Sequence, residues 1–105
     1  MQIILIILQL ITRIYHPETI DSLNESKYEY ISVAGVVSAV MINGDGKIEF
    51  RITNKRQQFL TCILVNNIDQ PRVGIEIIVS GKKNVYNLIM RQHIEIAVDK
   101  IEPAE

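Results

Sequence analysis

The chain has 105 residues, of which 48% are hydrophobic and only 6% aromatic, and its formal net charge at pH 7 is -1. This length suits one domain with its own hydrophobic core, and the near-neutral charge argues against a strongly basic nucleic-acid-binding protein. The single cysteine, Cys62, excludes an internal disulfide and any zinc site built from several cysteines. Because it lies in an apolar run, we expect a buried, reduced thiol and a cytoplasmic protein.

The first predicted element is an apolar segment at the N-terminus. Residues 3–11 are apolar except for Gln9, and this run is about half of the ~20 residues that a membrane span needs. No basic residue precedes the run and no small-residue cleavage site follows it, so we predict neither a membrane anchor nor a secretory signal. Both a helix and a strand fit the segment, which is expected to pack on the rest of the domain, on a second copy or on a protein partner. As a helix it presents one apolar face, formed by Ile3, Ile7, Leu10 and Ile14.

Two strands joined by a tight turn are predicted next. The first spans residues 28–42, and its alternation turns Ile31, Val33, Gly35 and Val37 toward one face. Residues 43–46, Asn-Gly-Asp-Gly, form a strong turn signal. The second strand spans residues 47–54, and its inward positions are Ile48, Phe50 and Ile52.

Three further strands complete the prediction. The third spans residues 57–65, and its register is open: Phe59 faces outward if Leu60, Cys62 and Leu64 face inward, and lies in the core otherwise. The fourth spans residues 75–80 between Gly74 and Gly81, and residues 81–84 are predicted to leave it as a loop. The fifth spans about residues 93–101, in which Ile94, Ile96 and Val98 alternate with Glu95, Ala97 and Asp99.

Five strands in this order resemble the OB-fold, as found in single-stranded-DNA-binding and tRNA-anticodon-binding domains. The resemblance covers about residues 28–102 and depends on three patterns: an apolar-x-apolar-x-Gly run at 31–35, the alternating strand at 48–54 and the glycine-bounded strand at 74–81. It implies an all-β, five-stranded Greek-key barrel with the apolar N-terminal helix or strand packed on it. We therefore divide the chain into an N-terminal segment with its linker, residues 1–27, and an OB-fold domain, residues 28–105.

The resemblance also implies a binding site for oligonucleotides across the second and third strands, gripped by the loops that follow the first and fourth strands. Such a site needs cations for phosphates and flat side chains for base stacking. The residues implied on these elements are Lys47, Arg51, Lys55, Arg56, Phe59, Lys82, Lys83, Tyr86 and Arg91.

The charge distribution is compatible with that site. Residues 47–91 carry eight cationic and three acidic side chains, so this stretch forms either a positive face or a set of scattered, solvated charges. We predict a domain that binds single-stranded nucleic acid, DNA in preference to RNA, as a subunit of a larger complex. The alternative is a subunit whose barrel contacts another protein and no nucleic acid, which the scarce aromatics and the apolar N-terminus favour.

Enzyme chemistry has little support in the sequence. His16 and His93 are far apart along the chain, and neither lies in a metal-ligand cluster. The glycines of residues 44–46 lack the spacing of a phosphate-binding P-loop. We therefore expect no catalytic residues, no metal and no cofactor.

Overall fold

A computed structural model describes residues 14–65 and 68–104, which form six β-strands and no helix. The strands are β1 (His16–Glu18), β2 (Tyr30–Ile42), β3 (Ile48–Thr53), β4 (Phe59–Leu64), β5 (Glu76–Asn87) and β6 (Gln92–Pro103). Within these residues there is accordingly no helix with the length and apolarity to cross a membrane. The predicted element at residues 3–11, with Ile3, Ile7 and Leu10, lies outside the described residues.

Strands β2 to β6 close into a barrel. Their order is β2-β3-β4-β6-β5, and pairing between β2 and β5 closes the circle. Within the barrel β4 and β6 run parallel, and the other neighbours are antiparallel. This is the mixed five-stranded Greek-key barrel of the OB-fold, so the predicted fold is confirmed.

The core is formed by the residues that the alternation pattern turned inward. Ile31, Val33 and Val37 of β2 are buried, as are Phe50 and Ile52 of β3. On β4, whose register the sequence left open, Leu60, Cys62 and Leu64 are buried. Each such aliphatic or aromatic side chain contributes about 1.5–3 kcal/mol when it is fully buried, so the period-two pattern determines most of the barrel interior.

Two glycines permit close contacts within the barrel wall. A Cβ at Gly81 would lie 2.1 Å from the carbonyl oxygen of Ala97 on β6, and a Cβ at Gly35 would lie 2.9 Å from the Cβ of Ile52. Gly74 has a different role, because its φ of +94° is in the region that glycine adopts most easily. The glycines at both ends of the 74–81 run are thus needed for separate steric reasons.

The fourth predicted strand is much longer than the sequence indicated. We expected it to end at residue 80 and to continue as a loop, but β5 extends to Asn87 and pairs with β6 as far as Gln92. The register shifts between Ser80 and Gly81, and such a bulge bends a strand without ending it. From Gly81 to Asn84 the strand still belongs to the barrel wall, because the β6 residues opposite it also pair with β4, and the exposed two-stranded ribbon begins at Val85.

The segment before the barrel also packs against it. Strand β1 pairs parallel with β2, His16 opposite Ile31 and Glu18 opposite Val33. Leu23, in the turns that follow, is buried in the core cluster. The division between residues 1–27 and 28–105 stays a prediction, and the described part of the first segment contacts the barrel closely.

A polar cluster holds β1 in place. The carboxylate of Glu18 accepts hydrogen bonds from the hydroxyls of Ser22 at 2.6 Å and Ser26 at 2.8 Å. These bonds lower the pKa of Glu18 and outweigh the opposing effect of its desolvation. Lys83 Nζ donates to the carbonyl oxygen of Ser26 at 2.5 Å, which attaches the same segment to β5.

Candidate functional site

One outer face of the barrel, formed by β3, β4 and β6, carries a polar groove. Across this face Arg51 on β3 lies opposite Thr61 on β4, and Thr61 lies opposite Glu95 on β6. The turn segment of residues 20–24 borders the groove on one side, and the beginning of β6 with Arg91 borders it on the other. The volume of this part of the groove is about 460 Å³.

An arginine–aromatic pair occupies the β3–β4 part of the groove. The Cζ atom of Arg51 lies 4.5 Å from the centre of the Phe59 ring, and Phe59 remains 54% exposed. The Nε atom of Arg51 is buried and has no hydrogen-bond partner among the described residues. The sequence allowed two registers for β4. Leu60, Cys62 and Leu64 face inward in the structure, so Phe59 faces the groove.

A second recess of about 290 Å³ continues the same face, because both recesses share Glu49 and Glu95 in their linings. It is bordered by the β2–β3 loop, which includes Lys47, and by Tyr86 of β5. The Tyr86 ring stacks against His93 with ring centroids 6.2 Å apart. The groove therefore has an aromatic group toward each end.

The charge of the groove is mixed. Lys47, Arg51 and Arg91 supply cations, whereas Asp45, Glu49 and Glu95 supply anions. The Glu95 side chain is 23% exposed, and its Oε1 lies 3.4 Å from Nε2 of His93. The positive charge of residues 47–91 is therefore not gathered on this face alone.

The structure brings together five of the nine predicted site residues. The five that line the groove are Lys47, Arg51, Phe59, Tyr86 and Arg91. The four that do not line it are Lys55, Arg56, Lys82 and Lys83. Lys82, Lys83 and Tyr86 belong to β5 and not to a loop, because the strand continues through the bulge.

The four remaining cations have other surroundings. Lys55 and Arg56 border a shallow depression beside residues 18–21, and Arg56 lies 3.4 Å from the Asp21 carboxylate. Lys82 lies 3.5 Å from the carboxylate of Glu29. Lys83 contacts the Ser26 carbonyl oxygen. The sequence did not predict these contacts, because each partner lies 30 or more residues away along the chain although it is close in space.

Several groove residues were not anticipated from the sequence. Ile20, Leu23 and Asn24 line it from the turn segment, and no periodic pattern marked that segment as part of the site. His93 and Glu95 line it from β6, and the alternation of that strand identified them only as outward-facing.

No group of three potential metal ligands occurs in residues 14–65 and 68–104. Cys62 is fully buried, and this burial raises the pKa of its thiol, which keeps it protonated. The groove thus offers cations, acids, amides and aromatic rings as its recognition chemistry.

No family model matches the chain, and no curated protein sequence matches it significantly. Solved structures with the same fold do match. A chain of the Stn1–Ten1 complex of S. pombe aligns at TM-score 0.56 and 19% identity, over 71% of this chain and 57% of that one. A small single-stranded DNA-binding protein from Streptomyces coelicolor aligns at TM-score 0.54 and 15% identity, over 75% and 96%.

A third similar structure is a replication protein A heterotrimer bound to single-stranded DNA, at TM-score 0.54 and 12% identity, over 79% of this chain and 63% of that chain. The chain thus spans less than two thirds of the Stn1–Ten1 and replication protein A chains that it matches. Similarity at these identities establishes the shared fold.

Proposed function

We propose that this OB-fold chain binds single-stranded nucleic acid, DNA in preference to RNA, along the groove on β3, β4 and β6. The observation that carries the proposal is the exposed Phe59 ring with the Arg51 guanidinium above it, in the groove between the turn segment and the β5–β6 hairpin. An exposed ring beside a cation offers a base a stacking surface and a phosphate a countercharge.

The remaining groove residues support the same function. Lys47 in the β2–β3 loop and Arg91 in the β5–β6 loop border the groove. There they can contact the phosphate backbone of a nucleic acid that lies across β3 and β4. Tyr86 offers a second ring. The similar structures include proteins named for single-stranded DNA binding and complexes of several subunits, so we propose the same ligand class, and a subunit without enzymatic activity, for this chain. The free, buried Cys62 suits a cytoplasmic location.

The experiment is fluorescence anisotropy with labelled single-stranded DNA and RNA of equal length and sequence. We expect Phe59→Ala and Arg51→Ala each to weaken DNA binding about 5- to 150-fold, since a base–aromatic stack contributes about 1–3 kcal/mol. Lys55→Ala is the matched control, because it removes an exposed cation outside the groove, and it should change the affinity less than threefold.

Two results would contradict the proposal. One is the absence of binding at low salt by the folded wild-type chain. The other is equal loss of affinity in Lys55→Ala and Arg51→Ala, which would mean that net charge and not the groove determines binding.

A second candidate function is docking to another protein. The tip of the β5–β6 hairpin presents three consecutive apolar residues, and two of them, Ile89 and Met90, are 98% and 92% exposed. Exposed apolar clusters of this kind are typical of protein interaction surfaces. If the tip binds a second copy, replacing Ile89 and Met90 with serine should lower the mass measured by light scattering, whereas an unchanged monomer would argue against self-association through the tip.

A further inference from the structure

Two acids lie in the part of the groove where a purely electrostatic DNA-binding surface would carry cations. Glu49 on β3 and Glu95 on β6 belong to the linings of both recesses, whereas Lys47, Arg91 and a third acid, Asp45, lie on the bordering loops. The register separates the acids by β4, with Glu49 opposite Ile63 and Glu95 opposite Thr61. They are therefore two separate acceptor sites along one groove.

Carboxylates at these positions determine which part of a bound nucleic acid can lie over β3, β4 and β6. A phosphate would be repelled by Glu49 and Glu95, so the backbone is directed to the groove cations Lys47, Arg51 and Arg91. The base edges then face the carboxylates, which can only accept hydrogen bonds and therefore pair with the N–H donors of those edges. Phosphate contacts position a strand, whereas contacts to base edges select its sequence.

We propose that Glu49 and Glu95 make the groove selective for bases with exocyclic amino groups, guanine above all, and against thymine. This inference depends on the proposed function. Guanine presents N1–H and an amino group side by side, which suits the two oxygens of one carboxylate, and cytosine presents its N4 amino group. Thymine presents one N–H between two carbonyl oxygens, and those oxygens repel the carboxylate.

The surroundings of Glu95 favour this selectivity. Its side chain is only 23% exposed, and the His93 ring lies beside it. His93 in turn stacks with Tyr86, so a base held on this ring pair brings its edge close to the Glu95 carboxylate. A partly buried acceptor left without a donor is costly, and a site built to accept hydrogen bonds discriminates strongly against ligands that lack the donor.

The test uses the wild-type chain and three 12-nucleotide strands. The first is all thymine, the second carries guanine at every third position, and the third carries inosine at those positions, which lacks only the exocyclic amino group. We expect the guanine strand to bind at least 10-fold more tightly than the thymine strand. The inosine strand should lose most of that advantage.

The variant test uses Glu95→Gln, because an amide can donate to a thymine oxygen. We expect the ratio of guanine to thymine affinity to fall at least threefold. Glu102→Gln is the control, since it removes an exposed carboxylate on the same strand that lies beside Lys100 and outside the groove. It should leave the ratio unchanged.

The outcomes separate the two proposals. Equal affinity for the guanine and thymine strands overturns the selectivity and leaves the proposed function standing. Equal affinity for the guanine and inosine strands overturns the amino-group basis of the selectivity. The absence of binding to every strand overturns the proposed function, and the selectivity with it.

Discussion

At the scale of single residues, small geometric facts determine what each position tolerates. Gly81 lies where β5 passes so close to Ala97 that no side chain fits, whereas Gly44 in the β2–β3 turn has open space around it. The two phenylalanines of the chain also differ because of their positions: one is exposed and the other is buried. The place of Phe59 at the outward register of β4 makes it a binding group, while Phe50 is fully buried.

Gly81→Ala should therefore destabilise the protein. The added methyl group meets backbone atoms of β6, which cannot move aside as a flexible side chain would, and overpacking of this kind costs about 1–3 kcal/mol or more. Urea denaturation measures the change. Gly44→Ala is the matched control and is expected to lie within about 0.5 kcal/mol of the wild type, so equal effects of the two changes would disprove the steric explanation.

At the scale of elements, the short β1 strand and the turns after it matter more than their length suggests. They add Leu23 to the buried core and border the groove with Ile20 and Asn24. Hydrogen bonds from Ser22 and Ser26 to Glu18 hold the segment in shape, and Lys83 of β5 attaches it to the barrel through the Ser26 carbonyl oxygen. The site therefore depends on a segment that lies outside the five barrel strands.

Glu18 should make this attachment sensitive to acid. Its pKa is lowered below the ordinary value of 4.5, first by the Ser22 hydrogen bond and then by that of Ser26. A lowered carboxyl pKa stabilises the fold at pH values above 4.5, and the stabilisation is lost as the pH falls through the lowered pKa. The stability advantage of the wild type over Glu18→Gln should thus be present at pH 7 and shrink below about pH 4.5.

Chemical denaturation at pH 7, 5 and 3.5 measures this advantage. Glu25→Gln, which removes an exposed carboxylate from the same segment, controls for the change in net charge. An advantage that stays constant over the whole range would exclude the Glu18 hydrogen bonds as the source of acid sensitivity.

At the scale of the whole molecule, the groove uses few of the available cations. Three of them, Lys47, Arg51 and Arg91, line it, while Arg56 and Lys82 lie beside acids elsewhere. The protein should therefore rely on a small number of phosphate contacts, with stacking and base edges supplying the rest of the affinity.

The salt dependence of DNA binding measures the number of phosphate contacts. Each neutralised phosphate of a single strand contributes about -0.7 to the slope of log K against log salt concentration, so three groove cations predict a slope of about -2. Arg91→Ala should reduce its magnitude by about 0.7, and Lys55→Ala should leave it unchanged. A wild-type slope of about -5 or steeper would show that cations outside the groove take part.

Much of the barrel was predictable from the sequence, whereas the site was predictable only in part. Alternation at Ile48, Phe50 and Ile52 identified the inner face of β3, because side chains of a strand alternate between two environments. The predicted end of β5 at residue 80 was wrong, since a bulge and an exposed ribbon both accept polar residues. The predicted site mixed groove cations such as Arg51 with others such as Lys83, because sequence shows that a lysine is present but not which distant carbonyl or carboxylate it meets.

The sequence by itself determined the all-β class, the succession of strands along the chain, the inward faces of β2, β3 and β6 and the burial of Cys62, because these depend on a period of two and on the removal of apolar surface from water. Only the tertiary structure decided that Phe59 faces outward beneath Arg51, that residues 20–24 border the groove and that Glu49 and Glu95 share it. Those features are juxtapositions of strands far apart along the chain, and they follow from register and barrel closure, which local patterns do not specify.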